Sequence, residues 1–159
     1  MGHACGLNQL GKFINKHPRR LARESVMQAL YAVEINNGYP KDILDSYNQS
    51  FNILDDSEYM HQLFFCVIEN KSWADELICK CLENWEYNRV AIVDKILLRM
   101  GVSEIYHMDD VPPKVSISEM VEIAKVFSTE ESSSFVNGIL DTIYKNCLLY
   151  TSDAADDSL

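Results

Sequence analysis

Apolar residues recur at helical spacing along most of this chain. Ala22, Val26, Ala29, Leu30 and Val33 fall at intervals of three and four. That spacing predicts a helix over 19–36, with Pro18 at its mouth and Asn37-Gly38 ending it. Pro40 opens a second helix, with Ile43, Leu44 and Tyr47 facing inward. Asp55-Asp56-Ser57 offers an N-cap for a third, which carries Met60, Leu63, Phe64, Val67 and Ile68. The pattern resumes after Asn70 with Trp73, Leu77, Ile78, Cys81 and Leu82, as one kinked helix or as two in series.

Asn88 starts the next segment, and Val90, Val93, Ile96, Leu97, Met100 and Ile105 keep the period to about His107. Asp109-Asp110-Val111-Pro112-Pro113 breaks it, because each proline pushes its predecessor out of the α region. A helix from Ser116 or Ser118 to Phe127 follows, with Ile117, Met120, Val121, Ile123 and Ala124. The last helix carries Phe135, Val136, Ile139, Leu140 and Ile143. Gly138, inside it, is expected to mark a close helix approach, since it costs about 1 kcal/mol against alanine.

The pattern therefore predicts an all-α bundle of six or seven helices with short loops. Residues 1–17 read as a loose extension, 18–147 as the helical domain, and 148–159 as a disordered, non-native tail. With 47% apolar and 24% charged residues the composition is globular. No apolar run approaches the roughly 18 residues of a membrane span, and the start lacks a secretory pattern. The five cysteines form no CxxC pair and read as small hydrophobes in a reducing cytoplasm.

Charge changes the picture. The chain carries a net charge of −10, yet Lys12, Lys16, Arg19, Arg20 and Arg23 fall among residues 1–23 with no Asp or Glu. These five of the fourteen basic residues leave nine to face all twenty-four acidic ones. The balance argues against indiscriminate nucleic-acid binding. No catalytic motif occurs, the four histidines are scattered singly, and nothing pairs a nucleophile with a base. The expectation is a binding protein, not an enzyme, with no metal and no cofactor.

On a helical wheel of the first helix, Arg20, Glu24, Met27, Gln28 and Tyr31 lie opposite the apolar stripe, and Arg19 and Arg23 flank the first turn. Arginines at a helix N-terminus add to an already positive end and favour a docked anion. An exposed Tyr31 beside Gln28 has a face on which a base can stack. From these residues alone, RNA binding and a plain solvated face stay equally open.

RRLARESVMQALY, VDKILLRMGVSEIY, DVPPKVSISEMVEIAKVFS and SSSFVNGILD resemble, in order and spacing, the NusB family of bacterial antitermination factors over residues 18–146. The resemblance implies two helical subdomains that bind boxA-type single-stranded RNA together with NusE, a small-subunit ribosomal protein. Through them RNA polymerase and other Nus factors are reached indirectly, in support of elongation through ribosomal RNA operons. It assigns phosphate contacts to Arg19, Arg20 and Arg23, and a polar RNA-facing surface to Gln28 and Tyr31. Phe127, Glu131, Phe135 and Asn137 are implied around the RNA groove, and Asp94 and Arg99 towards NusE. Leu21 interrupts the family's arginine run, Ser128-Thr129 replaces a glycine-containing loop start, and Ser132-Ser133-Ser134 lacks a basic residue often found there. Two alternatives stay open: a protein-only adaptor for a basic ribosomal partner, and a truncated NusB-like module of a ribosomal RNA cytosine methyltransferase.

Overall fold

Pro18 takes the first position of α1 (Pro18–Asn36), where its missing N–H is no loss. The computed structural model describes residues 18–50, 56–83 and 86–156; the expected extension at 1–17, with Lys12 and Lys16, and Asp55 lie outside them. Asn37 ends α1 in the left-handed region at φ 48°, a conformation asparagine tolerates better than most residues. α2 (Pro40–Ser50) follows at once.

α3 (Ser57–Glu69) and α4 (Lys71–Lys80) are two helices in series. Asn70 is the joint: its backbone N–H and its side-chain amide both donate to the Cys66 carbonyl, and its own carbonyl accepts from Ala74. Asp56 stands at the N-cap position of α3, but its carboxylate caps nothing.

A single 3-10 turn (Tyr87–Arg89) precedes α5 (Ile92–His107), so the helix expected from Asn88 starts later. α6 (Pro113–Phe127) begins earlier than expected, at the second proline of the break. Proline presets the helical φ, and the Pro112 carbonyl accepts from Val115 and Ser116. α7 (Glu130–Asp156) continues into the segment expected to be a disordered tail. Thr129 caps it, with Oγ1 accepting from the Ser132 N–H at 3.0 Å.

Among the described residues there are seven α-helices and no strand, as the pattern predicts. α5, α6 and α7 pack on one another, and of the remaining helices α1, α3 and α4 pack on α5 while α2 packs on α1 and α3. One continuous core, with Leu63, Phe64, Leu97, Met100, Met120 and Leu140 among its members, joins the two groups.

α1 is enclosed more fully than its wheel predicts. It packs against α2, α3, α5 and α6. Residues 22–27 are therefore buried without interruption, including Glu24 and Met27 from the expected polar face.

The glycine expectation is also corrected. A Cβ on Gly138 would meet nothing within 4 Å. The close approach is at Gly101, where a Cβ would lie 2.7 Å from both methyls of Leu140 on α7. The cysteines are less buried than expected: Cys79 is exposed, and Cys66, Cys81 and Cys147 are half-buried. No described helix is long and apolar enough to cross a membrane.

Candidate nucleic-acid interface

The three arginines of α1 are held by carboxylates from distant parts of the chain. Arg19 donates to Asp56 through Nε at 3.0 Å and Nη2 at 3.3 Å, and its guanidinium lies 4.1 Å from the centre of the Tyr59 ring. Arg20 grips Glu119 of α6 in the same two-pronged way, at 2.8 and 2.9 Å. Arg23 donates to Glu104 of α5 at 2.8 and 3.2 Å.

These pairs differ in what an anion could reach. Arg19 and Arg20 keep a third of their side-chain surface in water. Arg23 is only 2% exposed, so it is a core residue, and the expected phosphate contact is corrected. Its partner Glu104 is fully buried and also accepts from Tyr59 Oη and, at 2.6 Å, from Ser116 Oγ. Burial alone would lower the Arg23 pKa, but the Glu104 bonds more than reverse this and raise it. The Asp56 and Glu119 bonds likewise raise Arg19 and Arg20. Burial, reinforced by the Glu104 charge, pushes the Tyr59 phenol up.

Two shallow clefts flank the first turn of α5. Gln28 and Tyr31 of α1 meet Phe127, at the end of α6, in a cleft of about 260 Å³ completed by Met27, Tyr47 and Val93. Tyr31 and Phe127 are 39% and 37% exposed, enough to offer ring surface to a base. The neighbouring cleft, about 230 Å³, holds Glu131 and Phe135 of α7 with Arg89, Asp94, Thr129 and Ser132. Glu131 is exposed and Phe135 half-buried against the core.

Asn137 is not part of either cleft. It faces a groove between α6 and α7 beside Lys114, Glu122 and Tyr144. Phe135 and Asn137 are two apart on a helix, which places them on opposite sides.

The expected partner pair is also split. Asp94 belongs to the Phe135 cleft, 6% exposed, with Oδ2 accepting from Ser132 Oγ at 2.9 Å. Arg99, 7% exposed, instead ties α5 to α4 and α1, donating to Asp75 at 2.7 and 3.2 Å and to Glu34 at 3.1 Å. Lys71 joins this network at 2.6 Å from Glu34 and, with Arg99, lowers the Glu34 pKa. Arg99 is thus structural rather than free to face a partner.

Asp56, Glu104 and Glu119 escaped the sequence pattern because they lie 37, 81 and 99 residues from the arginines they hold. Thr129 did leave a local trace, a threonine at the mouth of a helix, which is a residue type that caps one.

The NusB family model matches residues 20–145. The chain belongs to the NusB family. It is 43% identical over 135 residues to the transcription antitermination protein NusB of Chloroherpeton thalassium, covering 79% of this chain but 61% of that protein's length. Among solved structures, T. maritima NusB aligns with a TM-score of 0.74 at 38% identity, over 82% of this chain and 92% of the other. A NusB solved with NusE and double-stranded RNA aligns with a TM-score of 0.74 at 27% identity, over 81% and 97%.

Proposed function

We propose that this NusB family chain is an RNA-binding transcription antitermination factor. It binds boxA-type single-stranded RNA together with NusE in the cytoplasm and supports elongation through ribosomal RNA operons. It acts by binding alone, without turnover or cofactor, and reaches RNA polymerase and other Nus factors indirectly.

The observation that carries this reading is the convergence of Gln28, Tyr31 and Phe127 in one cleft, beside Phe135 and Glu131 in the next. Tyr31 and Phe127 in one cleft and Phe135 in the other offer rings on which unpaired bases can stack. Arg19 and Arg20, one third exposed at the N-terminal end of α1, take phosphates by giving up Asp56 and Glu119 in exchange. The NusB solved with NusE and RNA supports the pairing of both partners.

Because each α1 arginine already has a carboxylate, the chain alone holds RNA weakly. A basic partner therefore supplies much of the attraction, and the net charge of −10 steers it in. A gel-shift titration of boxA RNA, with and without NusE, tests this reading. A shift that NusE strengthens supports it; no shift under either condition removes it.

A further inference from the structure

Glu119 of α6 stands between two arginines of α1. Its Oε2 accepts from Arg20 Nε at 2.8 Å and its Oε1 from Arg20 Nη2 at 2.9 Å. On the other side, Arg23 Nη1 lies 3.9 Å from Oε2, near enough for charge attraction and too far for a hydrogen bond. Arg23 uses Nε and Nη2 on Glu104, so Nη1 is the prong that those bonds leave to face Glu119.

The two arginines differ in access. Arg20 keeps a third of its side-chain surface in water, whereas the Arg23 side chain is 3% exposed. A phosphate reaches the first and not the second. The arginines are three residues apart on α1, so their side chains leave the same side of the helix. A shift of about 1 Å brings Glu119 from 3.9 Å to hydrogen-bond length at Arg23.

A phosphate at Arg20 displaces Glu119, and a displaced carboxylate needs new donors. Water serves this one poorly, because its side chain is only 17% exposed. Other acidic groups surround the exchange. The Glu119 bonds raise the Arg20 pKa most, and the charges of Glu122 and Glu24 add to it. Glu122 is answered by Lys125 at 3.0 Å. Glu119 also shares a cleft of about 340 Å³ with Arg19, Arg23, Asp56 and Asp110. The carboxylates of that cleft oppose a phosphate, and drawing Glu119 inward to a buried cation weakens the opposition.

Resting on the RNA-binding reading, we propose that Arg23 is a positioning residue for that binding: when an RNA phosphate takes Arg20, Glu119 passes to Arg23 Nη1. Arg23 thus raises the affinity for a phosphate that it does not touch.

Two measurements test this. The first needs no RNA. In a crystal structure of Arg20→Ala, Glu119 lies within hydrogen-bond distance of Arg23 Nη1. A carboxylate that stays at 3.9 Å, or turns to water, overturns the proposal and leaves RNA binding itself intact.

The second is a double-mutant cycle on the affinity for boxA RNA with NusE, read by fluorescence anisotropy. Arg23→Lys keeps a cation for Glu104 and removes Nη1. It weakens RNA binding about threefold in the wild-type background, the value of a modest ion pair. In the Glu119→Gln background, which has no charge to pass on, it changes nothing. Equal weakening in both backgrounds overturns the proposal, because a purely structural role gives that result. Glu122→Gln removes a neighbouring charge outside the exchange, so the threefold effect persists there; its loss in that background also overturns the proposal. If Arg23→Lys fails to fold, the Arg20→Ala structure decides alone. Wild-type protein that binds no boxA RNA with NusE removes the RNA reading, while the Arg20→Ala structure still shows whether Glu119 passes to Arg23.

Discussion

Arg23 of α1 and Glu104 of α5 form a two-pronged ion pair across 81 residues, at 2.8 and 3.2 Å, with 3% and 0% of their side chains exposed. Tyr59 of α3 and Ser116 of α6 complete the acceptor shell of Glu104. Four helices are thus fixed around one carboxylate. Removing one partner strands a buried charge, which costs about 3–5 kcal/mol. Arg23→Met should lower urea-unfolding stability by that order. Arg20→Ala, which breaks a pair still in part open to water, should cost under about 1 kcal/mol. Equal losses would refute the division into a structural and a surface arginine.

The two helical glycines should respond to alanine in opposite ways. Gly138→Ala fills open space and recovers helix propensity, so thermal unfolding should rise with a gain of up to about 1 kcal/mol. Gly101→Ala forces its methyl against the buried Leu140 side chain. Overpacking of about 1–3 kcal/mol outweighs the propensity gain, and the melting temperature should fall.

That contrast shows where the sequence was informative. Helical periodicity located each described helix and most of the core, because apolar spacing records the face each helix buries. The wheel misjudged Glu24 and Met27, since it assumes one covered face and α1 has several. The arginines were visible as a cluster, but whether they were free was not. That depended on Asp56, Glu104 and Glu119, which only the fold brings near. Tyr31, Gln28 and Phe127 were each singled out by chemistry and family resemblance, and the fold brings them to one cleft. Asp94 and Arg99 lie on one helix yet serve different places, as a five-residue separation allows.

The buried Tyr59 and the half-buried Tyr87 phenols predict an alkaline limit. Burial raises Tyr59, with the Glu104 charge adding to it, and burial together with the Asp75 bond raises Tyr87. A phenol raised in the folded state contributes stability below its ordinary pKa and loses it as the pH climbs towards the folded value. Ultraviolet titration of the folded protein should therefore leave Tyr59 and Tyr87 protonated after exposed tyrosines have ionised. Substitution by phenylalanine at each position should identify them by an unchanged native titration. A native signal that shrinks instead would contradict the raised phenols.

RNA binding should be only mildly sensitive to salt. With Arg23 buried, at most two α1 arginines meet phosphates. The log–log salt slope from α1 on single-stranded RNA is then about −1.4, at roughly −0.7 per phosphate. Arg20→Ala should flatten it by about half, whereas a slope unchanged by both Arg19→Ala and Arg20→Ala would exclude phosphate contacts at this end of α1.

Anisotropy of labelled boxA RNA in the presence of NusE tests the paired-cleft account most directly. Each base–aromatic stack contributes about 1–3 kcal/mol. The Phe127→Ala, Tyr31→Ala double variant, confirmed as folded and still bound to NusE, should therefore lose at least about tenfold in RNA affinity. The same affinity for variant and wild type would contradict the assignment of RNA binding to the Tyr31–Phe127 cleft.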